Sequence, residues 1–137
     1  PCGTLFPYTT LFRSVDISDK ELVLERVHGG ETNFVTAYAV GTGKHDNTPR
    51  GDFKIILKEK EPTWYKPGEG KIPYGSEENL LGTRWLGIDC PGFGIHGTWS
   101  PETVGEASSA GCVRMLNSDV EELFDIVPVG TPVIIQD

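Results

Sequence analysis

A mostly β domain with one α-helix near its C-terminus is predicted by three features of the sequence. Short apolar runs alternate with period two, turns marked by Gly and Pro separate them, and one stretch alone carries the i, i+3, i+4, i+7 spacing of an amphipathic helix.

The elements follow in chain order. Residues 1–14, PCGTLFPYTTLFRS, have neither strand alternation nor helical spacing; they are set aside as a non-native leader, and the domain is placed at residues 15–137. ELVLERV, a His28-Gly29-Gly30-Glu31 turn and NFVTAYAVG read as a hairpin, with Phe34, Thr36, Tyr38 and Val40 on one face. The polar loop GTGKHDNTPRG leads to a third strand, DFKIILK, which Pro49 and Gly51 introduce. Residues 59–83 are rich in Pro, Gly and charge and far exceed the usual connection of about 4–6 residues. Because this segment carries Trp64, Tyr65 and Tyr74, it is expected to form an ordered flap beside a cleft. RWLGID and FGIHGT read as short buried strands. The helix is expected from about Ser118 to Val127, with Val120, Leu123, Phe124 and Val127 facing the core, Ser118 and Glu121 forming a capping box, and Pro128 ending it. A Val129-Gly130-Thr131 turn then leads into a last strand, PVIIQ.

Composition narrows the function. The 137 residues fit one domain, and the balance of 12 Lys and Arg against 20 Asp and Glu gives a formal charge of -8 without any basic cluster. Nucleic-acid backbones need an electropositive footprint, so they are excluded as partners. No run approaches the roughly 20 apolar residues that span a bilayer. Cys2, Cys90 and Cys112 are odd in number and irregular in spacing, which argues against a disulfide framework and leaves a thiol to be explained.

The informative segment is GFGIHGTWSPETVGEASSAGCVRM, in which His96 and Cys112 both sit beside glycines. A thiol with a pKa near about 8.5 is mostly protonated at neutral pH, so a nucleophilic cysteine needs an imidazole or a positive field nearby. His96 supplies the first and Arg114 the second. Gly111 permits a tight turn that would present the Cys112 thiol and aim backbone N–H groups at a carbonyl under attack, with Ser109 as a further donor. The carbonyl of Gly97 is the candidate group to orient His96, since no Asp or Asn has an obvious claim.

This block resembles the signature of the L,D-transpeptidase catalytic domain, or YkuD domain, in IHGT and in S-x-G-C-[IV]-R-M from Ser109 to Met115. AYAVGTGKHDNTPRGDFKI, LGTRWLGI and VPVGTPVII are similar to the family's flanking runs, so the resemblance covers about Val15 to Ile135. It implies a β-sandwich or barrel of mixed strands, with Cys112 as nucleophile and His96 as general base. Gly111, Ser109 and Arg114 would form the surrounding shell, with Arg114 positioning substrate or the loop; Trp85 is a separate candidate substrate contact. The implied partners are peptidoglycan stem peptides, a donor tetrapeptide and an acceptor amine, with no metal or organic cofactor. The implied reaction forms 3-3 cross-links through a thioester with release of D-Ala, in the cell wall or periplasm. Hydrolysis of stems by the same scaffold, or wall binding without turnover, remains open. One departure stands out: many members carry a histidine directly before the Gly-Cys pair, where this chain has Ala110.

The remaining candidates have plainer readings. Cys90 lacks a glycine turn and reads as an inert buried thiol, and His28 and His45 fall in turn or loop sequence as solvated side chains. Gly92 to Gly97 matches G-x-G-x-x-G but lacks the following helix of a dinucleotide site. A zinc site from Cys90, His96 and Cys112 lacks close pairs and a fourth ligand. Trp85 and Trp99 are core aromatics by default, and otherwise line the cleft.

Overall fold

The computed structural model describes residues 9–16, 19–28, 30–44, 47–109 and 111–137. The strands β1 (Thr9–Asp16), β2 (Glu21–His28) and β3 (Glu31–Ala39) form an antiparallel meander. The leader set aside from the sequence therefore does not stay outside the sheet. From Thr9 onward it lies between β2 and the C-terminal strand β12 (Pro132–Gln136), antiparallel to the first and parallel to the second. Thr, Leu and Phe favour extended backbone even where they do not alternate, and a strand between two others pairs its N–H and C=O groups on both edges.

A bulge changes what the alternation predicts for β3. Leu24 pairs with Thr36 but Glu25 with Phe34, so Val35 is an extra residue. An extra residue turns the side chains beyond it to the other face. Tyr38 and Val40 are buried while Phe34 is 65% exposed, so the common face expected for these residues ends at Val35.

A second bulge curls the sheet. β5 (Gly51–Lys60) pairs with β12 through its first half and with β8 (Arg84–Ile88) through its second, with Ile56 as the extra residue between Ile55 and Leu57. β9 (Gly94–His96) lies antiparallel to β8, and β11 (Val113–Arg114) lies parallel to β9. The eight strands run in the order β11-β9-β8-β5-β12-β1-β2-β3. Two short pairs flank them: β4 (Thr42–Gly43) with β10 (Ala107–Ser109), and β6 (Trp64–Lys66) with β7 (Gly70–Ile72).

Inside the curl, Leu22, Leu24, Val40, Ile55, Leu86, Ile95, Val113, Met115 and Val133 meet the apolar face of helix α1 (Asn117–Ile126), formed by Val120, Leu123 and Phe124. Each such aliphatic side chain contributes about 1.5–3 kcal/mol by leaving water. Tyr38 on β3 donates a hydrogen bond to Glu122 Oε1 at 2.6 Å, tying the meander to the helix. The expected capping box does not form, because no side chain caps the first turn and Ser118 is exposed. Glu121 instead accepts the hydroxyl hydrogen of Thr83 at 2.7 Å, so the carboxylate is spent on the end of the flap. No helix among the described residues is long and apolar enough to cross a membrane.

The flap is ordered by a residue that sequence reading did not single out. Asn79 is 1% exposed; its Nδ2 donates to the carbonyls of Pro62 at 2.9 Å and Ile72 at 3.0 Å, and its Oδ1 accepts from Leu81 N at 3.0 Å. Three segments are thus held by one amide. Tyr74 then reaches the segment after His96, with its ring 6.1 Å from that of Trp99.

Candidate active site

Strand register brings the candidate residues together. β9 and β11 place Ile95 beside Val113 and His96 beside Arg114, and β8 places Trp85 beside His96. Side chains alternate along strands, so Leu86, Ile95 and Val113 enter the core, all at most 2% exposed. Trp85, His96 and Arg114, neighbours across the three strands, lie on the other face. Cys112 stands in the turn just before β11, where the Gly94 N–H faces its thiol.

His96 is buried, and its Nδ1 lies 2.5 Å from the carbonyl of Gly97. A carbonyl only accepts, so Nδ1 carries the proton and Nε2 keeps its lone pair. The Leu81 carbonyl at the end of the flap also faces the imidazole. Trp85 stacks on it, with centroids 5.9 Å apart and planes at 28°. Burial outweighs the two carbonyls and, helped by the charge of Arg114, lowers the pKa to about 4. The ring is therefore neutral at pH 7. An unfolded chain would bind that proton below its ordinary 6.5, so this group's contribution to stability is present above that pH and lost as pH falls towards about 4.

Burial acts on Cys112 in the opposite sense and pushes the thiol above its ordinary range, although the Gly94 N–H and the charge of Arg114 favour the thiolate. Its Sγ lies 3.6 Å from the Gly92 carbonyl, a weak donor contact. Burial thus favours the neutral form of both groups. Iodoacetamide should accordingly label Cys112 slowly at pH 7, at a rate still climbing beyond about pH 9. Peptide mapping across that range checks this, and a plateau below pH 7 would mean a preformed thiolate.

The turn before Cys112 differs from expectation in one donor. Ser109 Oγ donates to the Cys112 carbonyl at 2.7 Å and accepts from Gly111 N at 3.2 Å. The Gly111 amide is thus engaged inside the turn, and Ser109 braces that turn in place of facing outward. Gly111 has φ +148° and packs its backbone on Gly43, where a Cβ would sit 2.7 Å from Gly111 Cα; a Cβ on Gly111 itself would strike the Phe93 ring. Ala110 and His45 lie outside the described residues, as does the side chain of His28.

Arg114 is held by its backbone, which exchanges hydrogen bonds with Gly41 at 2.7 and 2.8 Å, and by Nη1 donating to Thr103 Oγ1 at 3.2 Å. Its Nε is buried without a hydrogen-bond partner among the described residues. Trp85 is not free in the groove: its ring packs over Gly94, where a Cβ would lie 2.7 Å away, as well as on His96. Cys90 is half-buried against the core, in the turn that follows β8. Among the described residues, no three His, Cys, Asp or Glu side chains gather as a metal-binding set.

Sequence reading missed the scaffold behind His96. Gly82 and Gly97 pack backbone to backbone, and a Cβ on either would run into Asn117 Oδ1. That oxygen accepts from Thr83 N at 3.2 Å, so the first residue of α1, the end of the flap and the segment carrying His96 meet at one point. The adjacency of Gly and Thr in LGT and HGT was the only trace of this in the sequence.

Comparisons with known proteins identify the family of the chain. The sequence profile of the L,D-transpeptidase catalytic domain, YkuD, matches residues 14–135. A Bacillus subtilis protein named as an L,D-transpeptidase, YqjB, is 45% identical over 106 residues, covering 73% of this chain and 58% of that relative. Among solved structures, an L,D-transpeptidase from Mycobacterium smegmatis superposes with a TM-score of 0.76 at 24% identity, over 94% of this chain and 59% of that one. The avibactam carbamoyl enzyme of Ldtfm matches with a TM-score of 0.72 at 26% identity, over 93% of this chain and 49% of that one. The chain belongs to the L,D-transpeptidase catalytic domain family. It spans between 49% and 59% of the length of these relatives.

Proposed function

We propose that this domain transfers acyl groups between peptidoglycan stem peptides, with Cys112 as nucleophile and His96 as base. What supports the reading is a buried imidazole on β9 held by the Gly97 carbonyl and a thiol in the turn that leads into the neighbouring β11, in a chain of this family. Nε2 takes the thiol proton as sulfur attacks the carbonyl of the diamino acid at stem position three, and gives it to the departing D-Ala amine. The thioester passes to the side-chain amine of a second stem, which His96 deprotonates, leaving a 3-3 cross-link.

The residues around the pair divide the remaining work. The Gly97 carbonyl holds the imidazole, and its Nδ1–H bond strengthens as the ring becomes cationic. With the Gly111 amide engaged by Ser109, the Cys112 amide is the oxyanion donor of the turn. Arg114 favours the thiolate and faces the donor stem, while Trp85 walls the imidazole. The site of action is outside the cytoplasm, where the substrate lies.

Incubation with a disaccharide tetrapeptide tests this by mass spectrometry. Free D-Ala together with a cross-linked dimer is expected. Release of D-Ala with tripeptide alone would make the domain a hydrolase on the same chemistry, and the absence of both products would overturn the reading.

A further inference from the structure

Trp99 has no role in the chemistry above, yet it follows His96 by only three residues, so its Cα lies no more than about 11 Å from that of His96. It is the one tryptophan among the described residues that stays more than half in water, at 52% exposed. A single exposed aromatic needs no ligand to explain it. Trp99 differs in being paired and held. The ring of half-buried Tyr74 reaches it from the flap with the planes tilted by 54°, so the two rings meet as a corner and neither lies flat over the other. Both arms of the corner are fixed. Ser100 N donates to Thr98 Oγ1 at 2.9 Å, and Thr103 donates to the Ser100 carbonyl through N at 3.0 Å and Oγ1 at 2.7 Å. In the flap that Asn79 secures, Ser76 N donates to the Pro73 carbonyl at 3.2 Å. The lining is uncharged: residues 73–76 (PYGS) and 97–101 (GTWSP) hold no Asp, Glu, Lys, Arg or His, and charge resumes only at the exposed Glu77 and Glu102.

We propose that Trp99 and Tyr74 form a platform for one sugar ring of the glycan strand that carries the donor stem. This rests on the reading of the domain as a transferase acting on stem peptides. A rigid, uncharged corner of aromatic faces set among hydroxyls suits a pyranose, whose C–H face packs on an aromatic ring while its polar groups point to the wet rim. A peptide segment bearing carboxylates or an ammonium would find no countercharge there. The lengths agree as well: an extended stem separates its sugar from the diamino acid by roughly three residues, on the order of 10 Å. Because the corner stands in place beforehand, sugar binding is not offset by ordering two loops, and the contact acts on donor affinity and not on the chemical step.

The experiment compares two donors, the disaccharide tetrapeptide and the same tetrapeptide freed of its sugars, by release of D-Ala. The wild-type protein should favour the first by about ten-fold in kcat/KM, carried by KM, the scale of one aromatic contact. Trp99→Ala should bring the two donors to within about two-fold of each other, and Trp99→Phe should keep most of the preference. No preference in the wild-type protein, or one that survives Trp99→Ala because both donors lose equally, would overturn the proposal; the second result would mean that the ring meets the peptide or supports the fold. A direct measurement needs no variant. The peptide-free disaccharide at millimolar concentration should shift the indole N–H resonance of Trp99 and leave that of Trp85, which packs on His96, in place. An unmoved Trp99 signal would sink the platform. Sugar that shifts Trp99 in a protein releasing D-Ala from neither donor would reject the transferase reading instead, whereas equal turnover of both donors with a still Trp99 would reject this inference alone.

Discussion

Replacing Cys112 with Ala is expected to abolish the acylation by avibactam or a carbapenem that the proposed function implies and to lower tetrapeptide turnover by about 10⁴-fold or more, the scale seen when a covalent nucleophile is removed from an enzyme that retains its binding site. The change leaves the scaffold in place. Ser109 grips the Cys112 carbonyl and not its side chain, and the sulfur makes only a long contact with the Gly92 carbonyl, so the turn keeps its bonds. Intact-mass spectrometry and circular dichroism together read the result: a folded protein without adduct is the outcome foreseen. A full adduct on the Ala variant would show that another group is attacked and would remove Cys112 from the reaction.

The second large effect is on folding. Gly82→Ala should destabilise the domain by about 3 kcal/mol or more, because two costs combine at one position. Its φ of +67° lies where a Cβ is disfavoured, and the added carbon would fall 2.6 Å from Gly97 Cα, a backbone atom that cannot swing away. Gly68→Ala separates the costs. Its φ is similar, +80°, but nothing stands within 4 Å, so only the backbone preference of about 1–2 kcal/mol is lost. Denaturant midpoints of the two variants should differ clearly, and equal midpoints would mean that the Gly82–Gly97 contact gives way easily. Because the Leu81 and Gly97 carbonyls both face the imidazole, Gly82→Ala should also weaken acylation at temperatures where the fold survives.

The contrast between these two variants marks how far the sequence can be read. The family was legible in the segment from His96 to Cys112 because its reactive side chains and glycines lie in one continuous run. The helix was legible for the same reason: its spacing is local, and its observed bounds differ by a single residue at each end. What stayed hidden depends on partners far along the chain. Nothing near Asn79 says that its amide will find Pro62 and Ile72, and the competition between Ser118 and Thr83 for Glu121 is decided by packing. Bulges at Val35 and Ile56 escaped because an added residue leaves composition unchanged while reversing the side chains beyond it. Thr9–Asp16 was passed over because alternation marks strands with one wet face, and a segment with neighbours on both edges can pair through its backbone alone.

The buried amide of Asn79 also bears on how a stem peptide is received. A wall already fastened at three points exacts little entropic toll when a guest arrives, so binding energy is not diverted into ordering the residues beside the imidazole. Under the proposed function, a flap standing ready in advance would let a stem peptide engage without waiting for that segment to take shape.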